Sequence, residues 1–71
     1  MNIQMLTEKM ASMGLSKAQL AEKIGMDRAT LYRKLSQDGA GFTVSEVRSI
    51  GIALALSYSD IQEIFFENVV A

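Results

Sequence analysis

At three candidate helix starts along this chain a Ser or Thr is followed, three positions later, by a side chain able to reach back to it: Ser16 with Gln19, Thr43 with Glu46 and Ser57 with Asp60. In such a box the hydroxyl accepts the N–H of the later residue, and the later side chain accepts the N–H of the first. Two donors that a helix start leaves unpaired are satisfied together. Each box stands ahead of apolar residues at helical spacing. The chain is thereby committed to a succession of short helices, and no stretch alternates apolar and polar residues as a half-buried strand would.

Five helical segments follow from caps and apolar stripes. The first covers about residues 2–13, with Asn2 as cap, Ile3, Leu6, Met10 and Met13 on one stripe, and Gly14 just past its end. The second starts at Ser16, buries Leu20, Ala21 and Ile24 beside Leu15, and stops at Gly25, which takes a positive φ without steric cost. After the short turn Gly25-Met26-Asp27 the third begins. Asp27 caps it, Leu31 and Leu35 face the core, and Arg28, Tyr32 and Arg33 point outward. Residues 36–42 read as a loop broken by Gly39 and Gly41. The fourth helix starts at Thr43, with Val44, Val47, Ile50, Leu54 and Leu56 as its apolar content; the fifth starts at Ser57, with Ile61, Ile64 and Phe65 as its stripe. Residues 67–71 read as a tail. With 71 residues there is room for one domain over residues 1–71 and no second core.

Composition narrows the function. The chain has no Cys and no His, which removes disulfides, thiolate nucleophiles, imidazole bases and the usual zinc ligands. Its carboxylates are scattered over several segments, and Gly39-Ala40-Gly41 lacks the Lys-Ser/Thr that completes a phosphate-binding loop. An enzyme is not expected, nor a metal or small-molecule cofactor. The five methionines read as core filler. The longest apolar run, residues 50–56, is too short to span a bilayer, no leader peptide is visible, and a domain without disulfides suits the cytoplasm. Net charge is only −1, but residues 16–36 carry a net +3 and residues 57–71 a net −3. A polarised domain presents a positive face to a polyanion whatever its total charge.

The most informative stretch is Leu15-Ser-Lys-Ala-Gln-Leu-Ala-Glu-Lys-Ile-Gly-Met-Asp-Arg-Ala-Thr-Leu-Tyr-Arg-Lys-Leu35. Ala21 is small where two helices cross, Gly25 permits the sharp turn, and Leu20, Ile24 and Leu31 fill the angle between them. Asp27 opens a helix whose first turn faces out. Over these residues the chain resembles the helix-turn-helix of the phage repressor and Cro superfamily, the XRE type, and more loosely over the five-helix layout to Phe66. The resemblance implies an all-α, five-helix, lambda-repressor-like fold with the helix-turn-helix at about residues 16–35, and binding of double-stranded operator DNA with the third segment in the major groove. It implies base reading by Arg28, Ala29 and Arg33, and phosphate or peripheral contacts by Lys17, Thr30, Tyr32, Lys34 and Gln37, with the backbone N–H groups of Gly39 and Gly41 near the strand. Structural alternatives stand beside these roles: Arg28 pairs with Asp27 or with solvent, Arg33 is a solvated helix residue, and Tyr32 lies over the core edge.

Two positions depart from the superfamily pattern. Lys34 occupies a place often apolar, with Leu35 supplying the anchor, and Asp38 brings negative charge to a loop that often nears phosphate. The resemblance further implies a transcriptional regulator of a bacterium or its prophage. The competing reading is a protein-binding modulator on the same fold, whose partner is another regulator such as a phage repressor; the acidic C-terminal third favours it. For a homodimer, Phe66, Val69 and Val70 are the apolar residues left over once Ile61, Ile64 and Phe65 turn inward, unless the tail folds back over the core.

Overall fold

The structure, a computed structural model, describes residues 1–37 and 41–66. The described residues form five helices: α1 (Ile3–Ser12), α2 (Lys17–Ile24), α3 (Arg28–Ser36), α4 (Val44–Ala53) and α5 (Tyr58–Phe65). No strand occurs among the described residues. All three capping boxes form, with the hydroxyls of Ser16, Thr43 and Ser57 accepting from Gln19, Glu46 and Asp60, and each of those side chains returning to its cap residue. Asn2 caps α1 through the Met5 N–H at 3.0 Å. Asp27 caps α3, one carboxylate oxygen accepting from Ala29 at 3.0 Å and from Thr30 at 3.4 Å.

Helix ends close by a shared device. The N–H of Leu15 donates to Met10, that of Met26 to Ala21 and that of Leu56 to Gly51, each reaching back five residues to an orphan carbonyl. The pivot at the end of α2 is Gly25, at φ +70°. At the end of α4 the pivot is Ala55, the one non-glycine residue with positive φ among those described, at +51°. Apolar residues of the fourth segment run on to Leu56, but the helix stops at Ala53 because Ala55 accepts the left-handed turn that a glycine ordinarily takes.

The core is aliphatic: Leu6, Met10, Leu20, Ala21, Leu31, Leu35, Ile50, Leu54 and Ile64 form one cluster. The described residues include no buried polar or charged side chain. Met1, Ile3, Met5, Leu15, Ile24, Met26, Phe42, Leu56 and Phe65 pack around it. The Asn2 N–H donates to the Ile64 carbonyl at 2.6 Å, tying the start of the chain to α5. Two apolar expectations depart from the structure. Met13 lies beyond the end of α1 and is half exposed, and Val44, the first residue of α4, is 83% exposed because the helix enters from the solvent side.

Candidate nucleic-acid interface

The helix-turn-helix is α2, the turn at Gly25–Asp27, and α3. Ala21 is fully buried where α2 meets its neighbours, and Leu20 and Leu31 are sealed from solvent between the two helices. With that seam fixed, the helical repeat dictates which α3 side chains remain outside. At about 100° per residue, Arg28, Tyr32, Ser36, Ala29 and Arg33 follow one another around an arc of about 140°. All five are exposed. Leu31 and Leu35 lie outside the arc, beyond its Arg28 end, and are buried; Thr30 sits beyond its Arg33 end, half-buried.

The arc carries unpaired cations. The side chains of Arg28 and Arg33, like that of Lys17 on α2, make no ion pair or hydrogen bond among the described residues, so three charges point at solvent with no internal partner. Arg28 does not pair with Asp27, whose carboxylate is occupied with two backbone N–H groups at the cap. Lys17 is exposed at the first residue of α2, and Gln37 is exposed at the C-cap of α3. The α3 N-terminus is capped by a carboxylate, so its first-turn donors are partly satisfied. The anion-seeking character of this surface therefore rests on side chains more than on the helix dipole.

Tyr32 falls between Arg28 and Ala29 on the arc and is 44% exposed, so it stands within the outward face and not at its edge. Ser36, overlooked in the sequence, lies at the middle of the arc, its hydroxyl donating to the Arg33 carbonyl at 2.9 Å. Lys34 is the residue placed differently from the rest of its group. Its ammonium donates to Glu46 Oε1 at 2.7 Å and to the Gly41 carbonyl at 3.0 Å, and it lies 5.5 Å from the centroid of the Phe42 ring. Its side chain is 15% exposed. Lys34 thus faces α4 while the other basic residues of α3 face solvent, because its helical position adjoins Leu31 and Leu35. Asp38, Gly39 and Ala40 lie outside the described residues, as do Val69 and Val70.

Among the described residues no group of His, Cys, Asp or Glu is placed to hold a metal ion. Nor is any helix long and apolar enough to cross a membrane. What the surface offers is a protruding helix with two free arginines, a flanking lysine at the start of the preceding helix, and a rigid seam behind them.

The family model of the Cro/C1-type HTH DNA-binding domain matches residues 5–67. The chain belongs to that family. No curated protein and no solved structure matches it. As a Cro/C1-type domain the protein binds DNA, and its five-helix, all-α fold is the one the Leu15–Leu35 motif implied.

A second surface lies between α4 and α5. An apolar groove of about 550 Å³ is lined by Val44, Ile52, Tyr58, Ile61 and Phe66 among others, with Arg48 its one charged residue. Ile52 is 73% and Tyr58 78% exposed. Phe66, at the C-cap of α5, stands on its rim.

Proposed function

We propose that this Cro/C1-type domain is a sequence-specific transcriptional regulator that places α3 in the major groove of operator DNA. The observation that carries the reading is the outward arc of α3, on which Arg28 and Arg33 stand free of any internal partner. A guanidinium takes guanine O6 and N7 together, and the Ala29 methyl between the two arginines suits a thymine methyl. Lys17, Thr30 and Gln37 flank the arc at positions suited to phosphates, and the exposed Tyr32 adds a sugar or phosphate contact. Phosphate contacts set register; Arg28, Ala29 and Arg33 on the arc supply sequence.

One such helix reads only a few base pairs, so a two-fold pair on a palindrome completes the site. We assign the contact to the α4–α5 groove and its Phe66 rim, occupied by a second copy of the chain. The groove's lone charge, Arg48, has no ion-pair partner among the described residues, and Glu63 beside Phe66 offers a complementary carboxylate from the copy. The setting that fits such a regulator is the cytoplasm of a bacterium or a prophage within it, acting as a Cro-like repressor.

The test is selection of duplexes from a randomised library by the purified protein, then gel shifts of the enriched duplex and of the DNA flanking its own gene at fixed salt. Enrichment of a palindromic sequence, bound far more tightly than random duplex, is expected. Recovery of no preferred sequence would leave DNA binding without operator recognition and would turn attention to a regulator protein as the principal partner.

A further inference from the structure

We infer that Lys34 and Glu46 form a positioning clip that sets the aim of the recognition helix, so that Lys34 governs base discrimination without touching DNA. The inference rests on the base-reading role proposed for Arg33, the residue immediately before it.

Glu46 Oε1 holds two donors at once: the Thr43 N–H at 2.8 Å, which is the capping bond of α4, and the Lys34 ammonium at 2.7 Å. The atom that fixes the start of α4 is therefore also the atom that grips α3. Lys34 adds a second bond to the Gly41 carbonyl, and its charge lies over Phe42, whose ring meets Phe65 of α5 edge-on at 6.2 Å between centroids. A chain of contacts runs from the distal half of α3 through the approach to α4 and on to α5. The seam with α2 secures α3 through Leu31; beyond it, the exposed Arg33 and Ser36 depend on Leu35 and this clip. Of the two ion pairs between side chains of the described residues, this is the one that involves α3. The pair is part-buried, its side chains 15% and 27% exposed, so salt screens it less than it screens a fully exposed pair. A hydrocarbon at position 34 would bury as well but would set no direction, whereas the ammonium bonds fix both a distance and a heading. A loose support shell that lets a reading side chain drift by an ångström weakens recognition without unfolding the scaffold.

The experiment uses the duplex enriched by the wild-type protein and a random duplex of equal length. Lys34→Met keeps the buried stem and removes the ammonium; Glu46→Gln keeps an acceptor for the Thr43 N–H and removes the charge; Lys34→Arg restores a cation. Lys34→Met and Glu46→Gln are each expected to lower the ratio of specific to random binding by about tenfold, the loss typical of one misplaced base contact. The salt slope of binding stays as in wild type, Lys34→Arg recovers most of the ratio, and Lys34→Met adds little once Arg33→Ala is present. Helicity by circular dichroism confirms that each variant folds; if Lys34→Met does not, Glu46→Gln decides alone. An unchanged ratio overturns the clip. A slope lowered by about one unit overturns it too, because it makes Lys34 a phosphate contact. If Lys34→Met lowers the ratio while Arg33→Ala does not, the clip stands and Arg33 is not the reader; the reverse result removes the clip and keeps the reader.

Discussion

Arg28 and Arg33 differ from Lys17 in what they are placed to do, and substitution separates them. Arg28→Ala and Arg33→Ala are each expected to weaken operator binding by about 1–3 kcal/mol, with much smaller losses on random duplex. Lys17→Ala is expected to weaken both alike and to lower the slope of log affinity against log salt by about one unit per bound subunit. Filter binding across a salt series on both duplexes reads these outcomes; equal losses on the two duplexes would make the arginines phosphate contacts. At this scale the sequence was legible where a role depends on position within one helix. The outward facing of Arg28, Ala29 and Arg33 follows from Leu31 and Leu35 being apolar at helical spacing. It was illegible where a role depends on another element. Nothing near Lys34 in the chain announces that Glu46, already engaged in a capping box twelve residues later, draws its ammonium inward. Tyr32 is legible in the same way: the helical repeat points it outward, and at 44% exposed it does not take the alternative place over the core edge.

The helices owe their boundaries to individual caps. Asp27 serves two N–H groups at the start of α3, so Asp27→Ala is expected to cost about 1 kcal/mol of stability and to fray the turn that carries Arg28 and Ala29. Thermal melts followed by circular dichroism, with operator binding measured alongside, check both effects. Starts were readable because a box is a local pattern. Ends were readable at Gly14 and Gly25, where a glycine marks the left-handed turn, but not after α4, where Ala55 adopts it instead. A Cβ in that conformation costs about 1–2 kcal/mol, part of which glycine would give back through its freer unfolded chain. Ala55→Gly is therefore expected to raise stability by about 0.5 kcal/mol, visible as a shift in the urea midpoint; a loss would mean that the turn carries no strain.

The whole molecule depends on one aliphatic cluster and a few shared polar ties. Ile64 is sealed from solvent, and its carbonyl receives the Asn2 N–H, so Ile64→Ala is expected to cost about 2–5 kcal/mol and to loosen both ends of the chain. Among the described residues, acid acts through Glu46 and Asp60. The Lys34 ammonium, followed by the Thr43 N–H, holds Glu46 below the usual carboxylate range, and the Ser57 N–H and hydroxyl, with Lys9, do the same for Asp60. A carboxyl whose folded pKa lies below its unfolded value stabilises the fold above the unfolded pKa and ceases to as pH falls through the folded one. Stability should accordingly decline below about pH 4, near the ordinary carboxyl pKa. Glu46→Gln with Asp60→Asn should flatten that decline, as urea melts from pH 7 to pH 2 would report. For assembly, Phe66→Ala with Val69→Ser is expected to weaken self-association and operator binding together while helicity is kept. Sedimentation checks this. A wild type that stays monomeric on saturating operator would mean that the groove serves a different protein.

The two tyrosines, in a chain with no tryptophan, divide neatly between the two exposed surfaces: Tyr32 stands on the α3 arc and Tyr58 in the α4–α5 groove. The protein thus contains its own optical labels, one for each kind of encounter. Emission from Tyr32 should respond when a duplex covers the arc, and emission from Tyr58 when the groove is filled. A Tyr58→Phe protein would report nucleic acid alone, and a Tyr32→Phe protein pairing alone, so that the order of the two events could be timed by stopped-flow fluorescence without attaching a dye.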